Sequence, residues 1–180
     1  MLAPLESCLP IGDQWRYEPK LDGFRGLLWR SSDDTVRRLS RNMRDLTAWF
    51  PELVRAANAL PETLLDGEIV IVGEQRSPDL GALQSQLSLA RRLTAQSAAE
   101  RPAGPVAFDV LELAGSELVE QPLTERRRRL EGLLDGLHPC LQLVLQTADV
   151  ELARDWLTLL PCVEGVVAKR ADGRYGGATG

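Results

Sequence analysis

Lysine is nearly absent from this sequence. Of its 21 basic residues only Lys20 and Lys169 are lysines, and the rest are arginines. Arginine serves wherever a generic positive charge suffices, so a position that keeps lysine is one that needs an amine. A guanidinium stays protonated in proteins, whereas a lysine can lose its proton and act as a nucleophile. Histidine is scarcer still. The single His138, in a loop before Pro139, has no partner with which to build a histidine-dependent triad and reads as incidental. The three cysteines, Cys8, Cys140 and Cys162, are scattered and show no C-x-x-C spacing. That spacing disfavours a zinc site or a disulfide framework and leaves buried or partly buried thiols in a reducing cytoplasm. There is no run of about 18 apolar residues, hence no membrane span, and no basic, apolar leader at the N-terminus. An excess of positive charge is also missing. A net charge of −5 argues against a general nucleic-acid binder, which needs a basic face.

What remains is the composition of an ordinary globular protein, with 44% hydrophobic and 26% charged residues in a chain of 180. That length corresponds to one domain able to bury a core. Charge is unevenly placed. Arg30, Arg37, Arg38, Arg41 and Arg44 cluster, and on charge alone they read as a solvated strand face, with a local basic strip as the alternative. The run Arg126 to Arg129 likewise reads as the solvated face of a helix whose buried side is Leu130, Leu133 and Leu134.

Apolar, β-prone runs predict strands at 15–19, 23–30, 35–40, 63–72, 104–113, 141–147 and 164–170, with turns at 31–34 and 114–116. Helical spacing follows Pro51 through Leu53, Val54, Ala57 and Leu60, and recurs at Leu130, Leu133, Leu134 and Leu137 and at Leu152, Trp156, Leu159 and Leu160. A short helix is expected at 79–89, a helix end and surface loop at 90–104, and a loose tail after 170. The four tryptophans read as core. Strands joined by short turns outnumber helices, which predicts an α+β domain of antiparallel sheets with flanking helices.

Three segments carry chemistry. "KLDGFR" places Lys20, Asp22 and Arg25 around Gly23, which is expected to turn the chain; "LLDGEIV" supplies Glu68; "EGVVAKR" supplies Glu164. A lysine beside carboxylates suits metal-assisted attack on a phosphate. The carboxylates offer oxygen ligands to Mg²⁺, and arginines stabilise the developing phosphoryl charge.

In the order K-x-D-G-x-R, S-R-N, D-G-E, F-D-x-L and E-G-V-V-A-K-R, from about Trp15 to Arg170, the sequence resembles the covalent nucleotidyltransferase superfamily. It is most similar to the adenylylation domain of bacterial ATP-dependent DNA ligases of the repair and end-joining kind. The resemblance implies an ATP-grasp-like α+β fold around a nucleotide cleft, with ATP, Mg²⁺ or Mn²⁺, nicked or broken duplex DNA and repair proteins as partners, and a cytoplasmic location. It implies that Lys20 is the nucleophile that becomes lysyl-AMP, and that Asp22 and Gly23 shape the turn presenting it. Glu18 would accept a hydrogen bond from the adenine amino group. Arg25 would contact the nucleotide and the 5′-phosphate, and Arg41 would be a second phosphate-binding arginine. Glu68 would hold the ribose or a metal, Phe108 would stack on adenine, Glu164 would bind metal and Lys169 would contact phosphate. Without the resemblance, Phe108 reads as core and Glu68 as a turn acid. The resemblance further implies a lysine-rich strand and an oligonucleotide-binding-fold domain after this segment. Neither occurs before Gly180, so residues 1–180 are expected to be a C-terminally truncated adenylylation domain with weak or no nick sealing alone. The alternatives are an RNA ligase or capping-type enzyme and a nucleotide-binding pseudoenzyme.

Overall fold

The computed structural model describes residues 8–71, 103–137, 141–160 and 163–176. The helix expected at 79–89, most of the loop expected at 90–104, His138, Cys140 and Cys162 lie outside the described residues, while Cys8, expected to be at least partly buried, is exposed near the start of the described chain.

Among the described residues eight strands and three α-helices follow in chain order. They are β1 Trp15–Leu21, β2 Phe24–Arg30, β3 Val36–Ser40, α1 Pro51–Ala57, β4 Thr63–Ile71, β5 Ala103–Leu113, β6 Ser116–Glu117, α2 Leu123–Leu134, β7 Gln142–Leu143, α3 Val150–Leu159 and β8 Val163–Arg170. β1 and β8 form a small antiparallel sheet. The second sheet runs β3-β2-β4-β5 antiparallel, and β5 also pairs β6 antiparallel and β7 in parallel. The parallel β7 is the one departure from the antiparallel pattern among the described residues. The fold is α+β.

The large sheet buries Leu28, Leu65 and Val110 against Ala56 and Leu60 of the α1 region and Leu130 of α2. Pro51 stands at the start of α1, where its missing N–H costs nothing and its fixed φ suits a first turn. The small sheet packs Tyr17 against Ala153 and Trp156 of α3, whose first turn is capped by Asp149 accepting from the Glu151 and Leu152 amides. Trp156 is the buried tryptophan; Trp15 and Trp49 are partly buried against smaller clusters, and Trp29 lies under the Arg37 guanidinium.

Five expectations change. The stripe on α3 is rotated: Ala153 and Trp156 face the sheet, while Leu152 and Leu159 are exposed, Leu159 by 69%. The strand expected at 141–147 divides because it serves both sheets. Gln142 and Leu143 pair with β5, and Thr147 bridges Tyr17 of β1. Arg126 and Arg127 are buried, so the four-arginine run is not a solvated face. Arg38 is buried as well, since strand alternation turns Arg37 outward and Arg38 inward. The tail is not loose up to residue 176. The carbonyls of Gly173 and Ala171 accept from the Leu123 and Thr124 amides, satisfying orphan donors at the start of α2, and the Tyr175 amide donates to Val119.

Gly26 marks the tightest strand contact. A Cβ there would sit 2.2 Å from the Leu39 carbonyl oxygen, a backbone atom that the β2–β3 pairing holds in place. Gly26→Ala is expected to cost about 3 kcal/mol or more, at the upper end of overpacking effects. Urea unfolding monitored by circular dichroism checks this; a midpoint within error of the parent would contradict it.

Candidate active site

The site forms where the chain passes from one sheet to the other. β1 belongs to the small sheet and β2 to the large one, and only Asp22 and Gly23 separate them. Gly23 is needed for close approach rather than for a left-handed turn. Its φ is not positive, and a Cβ there would lie 2.5 Å from the Ile69 carbonyl oxygen and 3.3 Å from Glu68 Oε2. A bare glycine therefore lets the link lie against β4.

Alternation along β1 places Tyr17 on the α3 side and Glu18 and Lys20 on the opposite face. The antiparallel partners on that face are Gly165 opposite Lys20, Val167 opposite Glu18 and Lys169 opposite Arg16. The register slips after Lys20, because Leu21 pairs with Val163 and leaves Glu164 as an extra residue. Such a bulge re-aims a side chain, and the Glu164 carboxylate accepts a hydrogen bond from the Lys20 ammonium. Both side chains are half exposed. Glu18, only 3% exposed, holds two donors: Lys169 Nζ at 2.5 Å from Oε2 and Gln146 Nε2 at 2.8 Å from Oε1.

β5 has a bulge of its own. Asp66 pairs with Asp109 and Gly67 with Ala107, so Phe108 is the extra residue. Its ring is approached by two cations, Lys169 Nζ at 4.6 Å and Arg25 Cζ at 5.2 Å from the centroid. The separately spaced segments of Glu18, Arg25, Phe108 and Lys169 thus converge on one ring.

Arg25 faces Glu68 across the β2–β4 pairing. Its guanidinium binds Asp66 through both carboxylate oxygens, at 2.8 and 3.3 Å. Hydrogen bonding to Asp66 raises the Arg25 pKa above its ordinary value. Tyr175, from the segment after β8, donates its hydroxyl to Asp66 Oδ2 at 2.7 Å. Burial, with Asp66 adding to it, pushes that phenol up to about 12. Glu68 Oε2 is buried with no hydrogen-bond partner. Burial raises its carboxyl to about 7, against the pull of Arg25, Arg38 and Lys20. On the other side of the sheet the buried Arg38 leaves Nε and Nη1 without partners, and burial lowers its guanidinium to about 10.

Asp22 lies in the bend itself. Arg41 is exposed in the turn after β3, and since Ser40 pairs with Gly26 it emerges at the Arg25 end of β2. Neither joins the cluster through a hydrogen bond or ion pair among the described residues. Three further members were not singled out from sequence. Asp66 stands in the D-G-E segment, where its partner could not be read. Gln146 and Tyr175 carry no local signal, because their partners lie on other elements.

The carboxylates expected to hold a divalent cation are Glu68 and Glu164, and no group of three or more acidic, histidine or cysteine side chains gathers among the described residues. Two carboxylates, one with an orphaned buried oxygen, fit Mg²⁺, which keeps several waters and relies on phosphate oxygens for the rest of its shell. They do not make an all-protein cage.

The raised Glu68 carboxyl has a consequence for stability. The unfolded chain ionises this group near 4.5 and the folded chain near 7, so its contribution to stability is present at low pH and is lost as pH rises through that window. Glu68→Gln is expected to flatten the fall in stability between about pH 4.5 and 7. Denaturant midpoints across pH check this, and an unchanged slope would contradict it.

No helix among the described residues is long and apolar enough to cross a membrane. The profile described as the ATP-dependent DNA ligase domain matches residues 5–179. DNA ligase C2 of Mycolicibacterium smegmatis is 39% identical over 179 residues, covering 97% of this chain and 49% of that protein. The multifunctional non-homologous end joining protein LigD of Pseudomonas aeruginosa is 37% identical over 97% of this chain and 20% of that protein. Among solved structures, mycobacterial DNA ligase D complexed with ATP and MES superposes with a TM-score of 0.75 at 30% identity, over 92% of this chain and 51% of that one. The chain therefore spans about half or less of the length of these relatives.

Proposed function

Because the chain belongs to the ATP-dependent DNA ligase domain family, we propose that it is an adenylylating unit that forms lysyl-AMP on Lys20 and passes the AMP to the 5′-phosphate of a nicked or broken DNA duplex. The observation that carries this reading is the convergence at the sheet junction. A lysine in a chain with only two stands on one strand. Around it lie an aromatic ring, a buried carboxylate acceptor, an arginine and two further carboxylates.

The base lies against Phe108, with its amino group donating to Glu18; that polarity favours adenine, since guanine presents an oxygen acceptor there. Lys20 Nζ attacks the α-phosphorus as the neutral amine, a P–N bond forms, and the bond to the departing pyrophosphate breaks. In the resting pair Lys20 is a donor to Glu164, so this contact opens and a proton leaves before attack. Arg25, fixed by Asp66, offers its fork to phosphate on the nucleotide and then on DNA; Arg41 and Asp22 stand at the same end. Glu68 and Glu164 would hold a divalent cation, which when bound would supply charge neutralisation to the phosphates. In the last step a 3′-hydroxyl attacks the activated phosphate and AMP departs. A cytoplasmic location and DNA-repair partners belong to the same reading.

The test is incubation of the protein with ATP, Mg²⁺ and a nicked duplex bearing a labelled 5′-phosphate. An adenylylated strand, with little or no sealing, is expected with ATP and not with GTP. A protein that carries AMP yet leaves the strand unmodified would contradict the DNA half of the reading.

A further inference from the structure

Lys169 stands where the base of the nucleotide is expected. Its ammonium is 2.5 Å from Glu18 Oε2 and 4.6 Å from the centroid of Phe108. These are the two groups that the proposed function assigns to the base, one for its amino donor and one for its ring face. We propose that Lys169 is the resident occupant of the base site and that adenine enters by exchange with it. In that exchange, a nucleotide is selected by whether it can replace both of the lysine's contacts. The inference rests on the base-site reading above.

The physical case begins with Glu18. A carboxylate 3% exposed is costly to leave without a compensating donor, so Lys169 can depart only as another donor arrives. The exocyclic amino group of adenine is such a donor. Guanine would bring an oxygen against a carboxylate and leave both acceptors unpaired, a mismatch that discriminates far more strongly than a missing contact. Gln146 binds the other oxygen, Oε1, so it steadies the carboxylate while Oε2 changes partner. The second contact exchanges in the same way: an aromatic base stacks on the ring face that the ammonium holds by cation–π attraction. The lysine can leave because its side chain is 25% exposed, on a flexible four-carbon stem. β8 holds its backbone opposite Arg16, so only the stem moves. Entry of the base thus frees a cation inside the cleft that receives the phosphates.

The scarcity of lysine supplies the experiment. With Lys20 and Lys169 the only two lysines, acylation by an amine-selective reagent followed by peptide mass mapping reads each separately. Adenosine is the probe, because it carries no phosphate that could itself attract Lys169. Saturating adenosine, with binding verified by calorimetry, is expected to raise the acylation rate of Lys169 several-fold. The variant Lys169→Met, which keeps the stem and removes the charge, is expected to bind adenosine several-fold more tightly, while the Glu18 mismatch continues to reject guanosine. If that variant does not fold, the labelling of the parent protein decides alone. Adenosine binding with unchanged or slowed acylation of Lys169 overturns the exchange and leaves the base site standing. So does weaker adenosine binding by a folded Lys169→Met protein. Adenosine binding to neither protein overturns the base-site reading and the exchange together.

Discussion

Lys20→Ala and Lys20→Arg are both expected to abolish the covalent AMP adduct, a loss on the order of 10⁴-fold or more, because a missing nucleophile has no substitute. The arginine variant is the sharper of the two. It preserves the positive charge that Glu164 contacts, and it fails because a guanidinium does not give up its proton. Neither change should unsettle the fold. Lys20 and Glu164 are half exposed, and exposed pairs contribute at most about 1 kcal/mol. Transfer of label from α-labelled ATP, beside thermal unfolding, measures both quantities. An adduct of parental yield in the arginine variant would remove Lys20 from its assigned role.

Arg126→Ala is expected to be the most damaging single truncation for stability outside the hydrophobic core. Its guanidinium meets Asp109 with Nε at 2.7 Å and Nη2 at 3.0 Å, and both side chains are almost wholly buried, at 3% and 5% exposure. Nη1 reaches the Gly173 carbonyl at 3.1 Å and also donates to Gln121. One residue therefore ties β5, α2 and the segment after β8. Removing it strands a buried carboxylate, which costs about 3–5 kcal/mol, or a fall in Tm on the order of 10 °C for a domain of this size. Asp109→Ala should cost a similar amount. Arg128, two positions along, is 70% exposed and pairs with Glu125, so Arg128→Ala should stay within about 1 kcal/mol of the parent. Thermal and urea unfolding of the two arginine variants make the comparison. Equal effects would contradict the burial described here.

That contrast shows where sequence reading succeeds and where it stops. Local pattern located β1 to β5, β8 and the three helices, because apolar periodicity and turn residues act within a few positions. It could not tell Arg126 from Arg128, since the distinction is Asp109 on another strand. It misplaced the buried face of α3 by weighing leucines over Ala153. That small residue is fully buried because α3 lies close to Tyr17 on the small sheet. The tail looked loose because glycines make up four of its last ten residues, yet its carbonyls cap α2. The candidate site was legible as a set of ordered motifs, whereas its wiring was not. The two bulges that aim Glu164 and Phe108 are register events between distant strands, as are the Glu18–Lys169 pair and the Arg25–Asp66–Tyr175 chain.

The central claim, that the sheet junction is an adenylylation site with Lys20 as nucleophile, is tested most directly by intact mass measurement after incubation with ATP and Mg²⁺, followed by peptide mapping. The account predicts a gain of one AMP with ATP and none with GTP, carried by the peptide that contains Lys20. Absence of the adduct in folded protein that binds ATP, or its appearance on Lys169, would contradict it.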